Sequence, residues 1–230
     1  MSVHELASGV LHLPLTPFAG VNAYLLGDVL VDAGSRHDAG RIVKALSGRR
    51  VRGHALTHVH PDHQGATAAV CTRLGLPLAV GAGEVADMEA GRAAGMDPPS
   101  LPGRIVRALS QGPGHPVSRT LAEGDEVGGF TVLHTPGHSP DHLAYWREAD
   151  RVLIAGDALR NLSYATLRPR LDLPYSGFNF DQDRVVESAR RLIALRPSLV
   201  AFGHGRPLSG DAFAREADGL LAALPQPARA

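Results

Sequence analysis

An α/β fold is predicted by three features of the sequence. Short apolar runs rich in β-formers alternate with stretches whose apolar residues recur at helical spacing. Hydrophobic residues make up 44% of the 230, enough for one large core. The stretch densest in chemistry lies where a run of the first kind meets one of the second. The chain is therefore read as a single domain over residues 1–230.

In order along the chain, Val10 to Leu15 and Ala23 to Leu26 read as strands. Val29-Leu30-Val31 reads as a third, with Gly27-Asp28 as the hairpin turn between. Asp32 ends that strand. It reads as a turn carboxylate accepting backbone hydrogen bonds. Ala39, Ile42, Val43 and Leu46 follow the i, i+3, i+4, i+7 pattern, and Gly48 stops that helix. Val51 to Thr57 is the next short strand, and Asp62 to Leu74 carries Ala and Val at helical spacing.

Between those two elements lies Thr57-His58-Val59-His60-Pro61-Asp62-His63, in which four of six consecutive residues from His58 are metal-ligand types. On extended backbone, side chains two apart share a face, so His58 and His60 can converge on one ion. Pro61 breaks the strand and suits the first turn of a helix. It re-aims Asp62 and His63, which points to a second ion. A solvated turn does not explain that density of ligands.

Residues 81–120 are the least regular part. Pro98-Pro99, Pro102, Gly112-Pro113-Gly114 and Pro116 exclude one long element, leaving Glu84 to Ala94 and Arg104 to Leu109 as short helices. A substrate lid over 81–120 and a passive surface excursion both fit. His115 within it is expected to be simply exposed. Phe130 to His134 is a strand that delivers the Pro136-Gly137 turn and His138. Leu143 to Trp146 and Val152 to Ala155 are the next strands, the second ending in Gly156-Asp157. From Leu159 to Phe180 periodicity disappears while Arg160, Tyr164, Arg168, Arg170, Tyr175, Phe178 and Phe180 gather. These line a substrate pocket or are ordinary surface and core. Val185, Val186, Ala189, Leu192 and Ile193 form one face of a helix that ends before Pro197. Leu199 to Phe202 is a buried strand, Gly203 and Gly205 flank His204, and a helix from about Asp211 to Leu224 follows.

Charge narrows the partners. Lys plus Arg equal Asp plus Glu at 23 each, so no overall basic footprint draws the chain to nucleic acid or anionic lipid. A small-molecule substrate is expected instead. The single cysteine, Cys71, excludes an intrachain disulfide and reads as a small packed thiol. Residues 1–5 lack a basic region followed by an apolar run, and no stretch approaches the roughly 18 apolar residues of a membrane span. A cytoplasmic protein with no membrane contact is the expectation; oligomeric state is not legible.

The His-x-His-x-Asp-His pattern at His58, His60, Asp62 and His63 resembles the signature of the metallo-beta-lactamase superfamily. Thr135-Pro136-Gly137-His138 resembles that family's third-histidine motif, Ile154-Ala155-Gly156-Asp157 its bridging-aspartate motif, and Phe202-Gly203-His204-Gly205 its last. All stand in family order over residues 57–205, and Val31-Asp32-Ala33-Gly34 matches a further element upstream. The resemblance implies a second reading of Asp32, as a group that steadies the neighbouring ligand loop. The resemblance implies a four-layer αβ/βα sandwich, with two mixed β-sheets face to face, helices outside and the site at one edge.

It also implies a ligand set: His58, His60 and His138 for one divalent ion, Asp62, His63 and His204 for the other, and Asp157 bridging. The histidine after Pro-Gly is the ligand in that family, so His138 is expected to ligate and His142 is not. Imidazoles with few carboxylates favour Zn, with Fe or Mn as alternatives. Two cations sharing a water bring its pKa from 15.7 toward roughly 7, which implies a bridging hydroxide as nucleophile. Asp62 would orient it, making Asp62 and Asp157 the expected catalytic carboxylates.

Substrate is less determined. The family includes glyoxalase II-type thioester hydrolases, lactonases, beta-lactamases, RNase Z-like nucleases and persulfide dioxygenases. Glyoxalase II has a carboxy-terminal helical region with basic residues for glutathione, whereas 26 residues follow His204 here. Secreted beta-lactamases need an export signal, and RNase Z needs a basic exosite. The expectation is a binuclear hydrolase of a small-molecule ester, thioester or lactone. The alternatives are a mononuclear iron persulfide dioxygenase, against which a full seven-ligand set leans, and an RNase Z-like phosphodiesterase.

Overall fold

The computed structural model describes residues 3–96 and 101–224. The Pro98-Pro99 interruption lies outside them. Seven strands form the first sheet in chain order: β1 (His4–Ala7), β2 (Val10–Pro14), β3 (Asn22–Leu26), β4 (Val29–Val31), β5 (Gly53–Ala55), β6 (Leu78–Gly81) and β7 (Arg119–Leu121). The first four pair antiparallel, and β4 to β7 run parallel. Parallel neighbours need crossovers, which helices provide. These are α1 (Ala39–Ala45), α2 (Pro61–Gln64), α3 (Thr67–Leu74), α4 (Val85–Ala90) and α5 (Leu101–Ser110).

The second half adds β8 (Glu126–Val127), β9 (Phe130–His134), β10 (Leu143–Arg147), β11 (Val152–Ile154), the small hairpin β12 (Arg160–Asn161) with β13 (Leu171–Asp172), α6 (Gln182–Ala194), β14 (Leu199–Ala201), β15 (Leu208–Ser209) and α7 (Gly210–Ala223). The second sheet is ordered β15-β14-β11-β10-β9-β8. Its one parallel pair, β11 with β14, is bridged by α6.

Strand periodicity sorts the apolar side chains into layers. Consecutive residues face opposite ways. Leu25, Leu30, Leu153 and Val200 therefore pack outward toward helices, while Leu26, Val31, Ile154 and Ala201 pack between the sheets. The intersheet layer also holds Tyr24, Phe130, Val132 and Tyr145. Outside it, Ile42, Val70 and Met88 cover the first sheet, and Val185, Leu192 and Phe213 cover the second. Strands covered on both faces read as continuous apolar runs, as these do. The arrangement is the helix–sheet–sheet–helix sandwich that the motifs implied.

Two elements differ from the sequence reading. β1 was not anticipated, because His4-Glu5-Leu6-Ala7 is a half-exposed edge strand without an apolar signature. The helix expected over Asp62 to Leu74 is two helices, separated at Gly65-Ala66, with Ala66 at φ −94°, ψ 0°. At the break the 110–112 backbone runs against Gly65, where an added Cβ would lie 2.3 Å from Ser110 O. Glu84 to Ala94 is likewise shortened to a 3-10 turn and α4. Among the described residues no helix is long and apolar enough to cross a membrane.

Candidate metal centre

Topology brings the motifs to one edge. In the first sheet β4, β5 and β6 are parallel, so Asp32, the His58–His63 stretch and Glu84 all follow carboxyl ends at that edge. In the second sheet β9 and β11 are each antiparallel to β10, and β14 is parallel to β11. His138, Asp157 and His204 therefore also leave in one direction. Leu143 N–H donating to Thr57 O (2.8 Å) and Asn22 N–H donating to Gly203 O (3.0 Å) join the two sheets there.

Three groups of candidate ligand atoms result, with every atom of a group within 4.8 Å of the others: His58, His60 and His138; His58, His63 and Asp157; and Asp62, His63 and His204. All seven residues singled out from the sequence are thus brought together. His115 joins none of these groups and is half-buried rather than exposed.

Each of the five histidines is held by one ring nitrogen. His58 Nδ1 donates to Thr57 Oγ1 (2.9 Å), whose hydroxyl donates on to Asp32 (2.9 Å). His60 Nε2 donates to Ala94 O (3.0 Å), and His63 Nδ1 to Asp32 Oδ2 (2.9 Å). His138 Nδ1 donates to Asn179 Oδ1 (2.8 Å), and His204 Nδ1 to Gly20 O. The Asn179 amide is oriented by donating to Gln182 Oε1 (2.7 Å). In the neutral rings these bonds place the proton on the outer nitrogen and leave the inner one as a bare lone pair.

The bare atoms face each other. His60 Nδ1 and His138 Nε2 are 2.9 Å apart with no proton between them in their neutral forms. His63 Nε2 and His204 Nε2 are 3.4 Å apart. His58 Nε2 and Asp157 Oδ1 are buried with no hydrogen-bond partner, and Asp157 Oδ2 lies 3.0 Å from His204 Nε2 and 3.4 Å from His138 Nε2. Convergent lone pairs of this kind repel unless a cation sits among them. The residues fit a divalent-ion centre.

Burial, then the neighbouring imidazoles, holds His58 and His60 well below the usual histidine range, and burial lowers His138. For His63 and His204 burial works the same way, but the Asp157 carboxylate and, respectively, Asp32 or Asp62 outweigh it and push both up, His204 to about 9. Burial would raise Asp157, yet His204 and His63 hold it well below the carboxylate range. One half of the centre thus keeps neutral imidazoles, and the other concentrates negative charge where a cation is most stabilised.

Asp32 resolves the two readings of it. Its backbone has φ +60°, a conformation Asp tolerates better than most residues, and its carboxylate accepts from Thr57 N–H (2.8 Å) as well as from Thr57 Oγ1 and His63. It steadies the ligand loop. His142 is committed elsewhere: Nδ1 donates to Thr135 Oγ1 (2.8 Å) and Nε2 accepts from Asp157 N–H (2.9 Å). Gly203 has no alternative, since a Cβ there would lie 1.9 Å from Asp157 Oδ1.

Sequence reasoning missed Glu84 and Asn179. Glu84 is buried; its carboxyl accepts from Val59 N–H (2.5 Å), Asp141 N–H (3.0 Å) and the Ser139 hydroxyl, tying the loop of His58 and His60 to that of His138. An acid three residues after the buried strand β6 was the available signal. Glu84→Gln puts an NH2 against backbone or hydroxyl donors. We expect it to weaken cation affinity by about 10–100-fold and to cost about 2 kcal/mol in stability, read by metal titration and urea unfolding. Burial raises this carboxyl from 4.5 to about 7. The folded state therefore binds more protons than the unfolded between those values, and the contribution of Glu84 to stability falls as pH rises through that window. The difference between wild type and variant should carry that slope, and its absence would count against the assignment.

A cavity of about 280 Å³ opens beside the cluster, bounded by His60, Asp62, His138, Asp157 and His204. Both irregular segments reach it: Met96 and Val106 from one, Arg160, Tyr164, Tyr175 and Phe178 from the other.

Residues 16–204 match the family model for the metallo-beta-lactamase superfamily. The chain belongs to that superfamily. It is similar to a probable metallo-hydrolase, YflN, of Bacillus subtilis (strain 168), 28% identical over 80% of this chain and 78% of that one. It is also similar to a hydroxyacylglutathione hydrolase of Methylobacterium nodulans, 30% identical over 79% of this chain, although it spans only 60% of that protein's length. Among solved structures, the BLEG-1 B3 metallo-beta-lactamase superposes with a TM-score of 0.71 at 26% identity, over 91% of this chain and 98% of that one. This metallo-beta-lactamase superfamily member is a metal-dependent hydrolase.

Proposed function

We propose that the chain holds two divalent cations and hydrolyses a small-molecule ester, thioester or lactone. The observation that carries this reading is the convergence of five histidines, each anchored through one ring nitrogen, around Asp157 and Asp62. His58, His60 and His138 would hold one cation, Asp62, His63 and His204 the other, with Asp157 between them. When bound, the two cations supply Lewis acidity and lower the pKa of a shared water.

The chain's own residues do the rest. The bonds to Thr57, Ala94, Asp32, Asn179 and Gly20 fix the imidazoles, so little reorganisation is needed during reaction. Asp62, its carboxylate partly exposed to the cavity and 3.4 Å from His204 Nε2, would accept a proton from the attacking water and aim its lone pair at the carbonyl. The relatives' hydroxyacylglutathione hydrolase activity supports an activated acyl group as substrate.

Elemental analysis after metal-replete expression tests the reading. Close to two transition-metal ions per chain are expected, with turnover of small thioesters or lactones abolished by chelation. One tightly held iron and no second ion would favour the persulfide dioxygenase instead. The same measurement decides among Zn, Fe and Mn.

A further inference from the structure

We propose that the cavity beside the cluster accepts a neutral apolar or aromatic substituent of the substrate and rejects an anionic one; this rests on the hydrolytic reading above. At about 280 Å³ the cavity is just below the roughly 300–1,000 Å³ of small-molecule sites. Away from the cluster its wall is Met96, Val106, Pro174, Tyr175, Phe178 and Tyr164. Tyr175 and Phe178 meet edge to face at 5.7 Å, giving a semi-rigid aromatic lip.

Among the described residues away from the cluster the wall has one cation, Arg160, and it is already engaged. Its Nε donates to Leu173 O (2.7 Å), Nη1 to Leu162 O, and Nη2 to Asp172 Oδ2 (3.1 Å), so all three nitrogens are engaged at the β12–β13 hairpin, where Asp172 is shared with Arg170 (3.5 Å). The guanidinium carbon lies 5.2 Å from the Tyr164 ring centroid. Arg160 thus braces an aromatic wall instead of offering a carboxylate clamp. A carboxylate placed there would lose water against a mainly apolar wall whose guanidinium is already committed to protein acceptors, a desolvation that is costly unless paired. Neutral substituents incur no such loss.

Two matched pairs of thioesters test this on the cation-loaded chain: hexanoyl against adipoyl on one neutral thiol, and thiophenol against mercaptobenzoate leaving groups on one acetyl. The carboxylate should lower kcat/KM by about tenfold or more in the pair whose varied group occupies the cavity. No penalty in either pair overturns the proposal. A binding arm uses the unreactive N-methyl amides of hexanoate and adipate in calorimetry. Tighter binding of the neutral amide by about tenfold is expected, and equal binding overturns the proposal. If no thioester or lactone turns over while the amides still discriminate, the hydrolytic reading fails and the pocket assignment stands. Val106→Lys or Met96→Lys supplies the missing cation, and should shift the adipoyl-to-hexanoyl ratio upward by about tenfold. An unchanged ratio in both folded variants overturns it.

Discussion

Asp157→Ala is expected to abolish binuclear loading and to lower turnover by about a thousandfold or more. On the proposed assignment it is the one ligand shared by both cations. Its Oδ2 lies among the Nε2 atoms of His204, His138 and His63 at 3.0, 3.4 and 3.6 Å. Removing it withdraws the negative charge that stabilises cations on both sides. Loss of about 4 kcal/mol of transition-state stabilisation, the several kcal/mol that a Lewis-acid centre supplies, is about a thousandfold in rate. Elemental analysis and steady-state kinetics on the same preparation decide it. A variant that retains two ions and near-normal turnover would remove Asp157 from the centre. Asp157→Asn should be milder in fold but similar in loading, because the amide keeps the shape without the charge.

The candidate ligand residues were legible because their chemistry is local and dense. Four ligand-type residues among the six from His58 cannot be absorbed by a core, and the extended spacing of His58 and His60 already implied convergence. The layered fold was legible for a related reason: fully covered strands such as Val29–Val31 and Val152–Ile154 are continuous apolar runs. What escaped was residue character set by distant chain. Nothing near Glu84 reveals that Val59, Ser139 and Asp141 will surround it from 25 to 57 residues away. Asn179 gains its role only because α6 begins beside the His138 turn. The same holds for the break at Gly65, dictated by backbone at Ser110 and Gly112. Tyr164, Tyr175 and Phe178 were visible as an aromatic cluster, but whether an irregular segment folds onto the site or away from it depends on tertiary contacts that composition does not encode.

His138→Ala should empty half of the centre while His142→Ala leaves it occupied, although the two histidines are four residues apart in one loop and both are buried. The difference lies in where their lone pairs point. His138 directs its bare Nε2 at His60 Nδ1, 2.9 Å away, and is anchored by Asn179. His142 spends both nitrogens on protein: Nδ1–H on Thr135 Oγ1, and the Nε2 lone pair on the N–H of Asp157. Burial, then the nearby His138, depresses its pKa to about 3, so it stays neutral and keeps that lone pair available across the working pH range. Loss of a direct ligand should weaken one cation by more than the 10–100-fold typical of outer partners. Loss of His142 instead leaves a buried Asp157 N–H unpaired and a cavity behind it. That should cost about 2–4 kcal/mol of stability and loosen cation affinity within the outer-partner range. His142→Gln, whose amide oxygen can accept from Asp157 N–H, should recover part of both, a rescue that a purely space-filling role would not give. Cation titration of the three variants, with urea unfolding alongside, separates the roles. An empty centre in His142→Ala with full occupancy in His138→Ala would reverse the assignment.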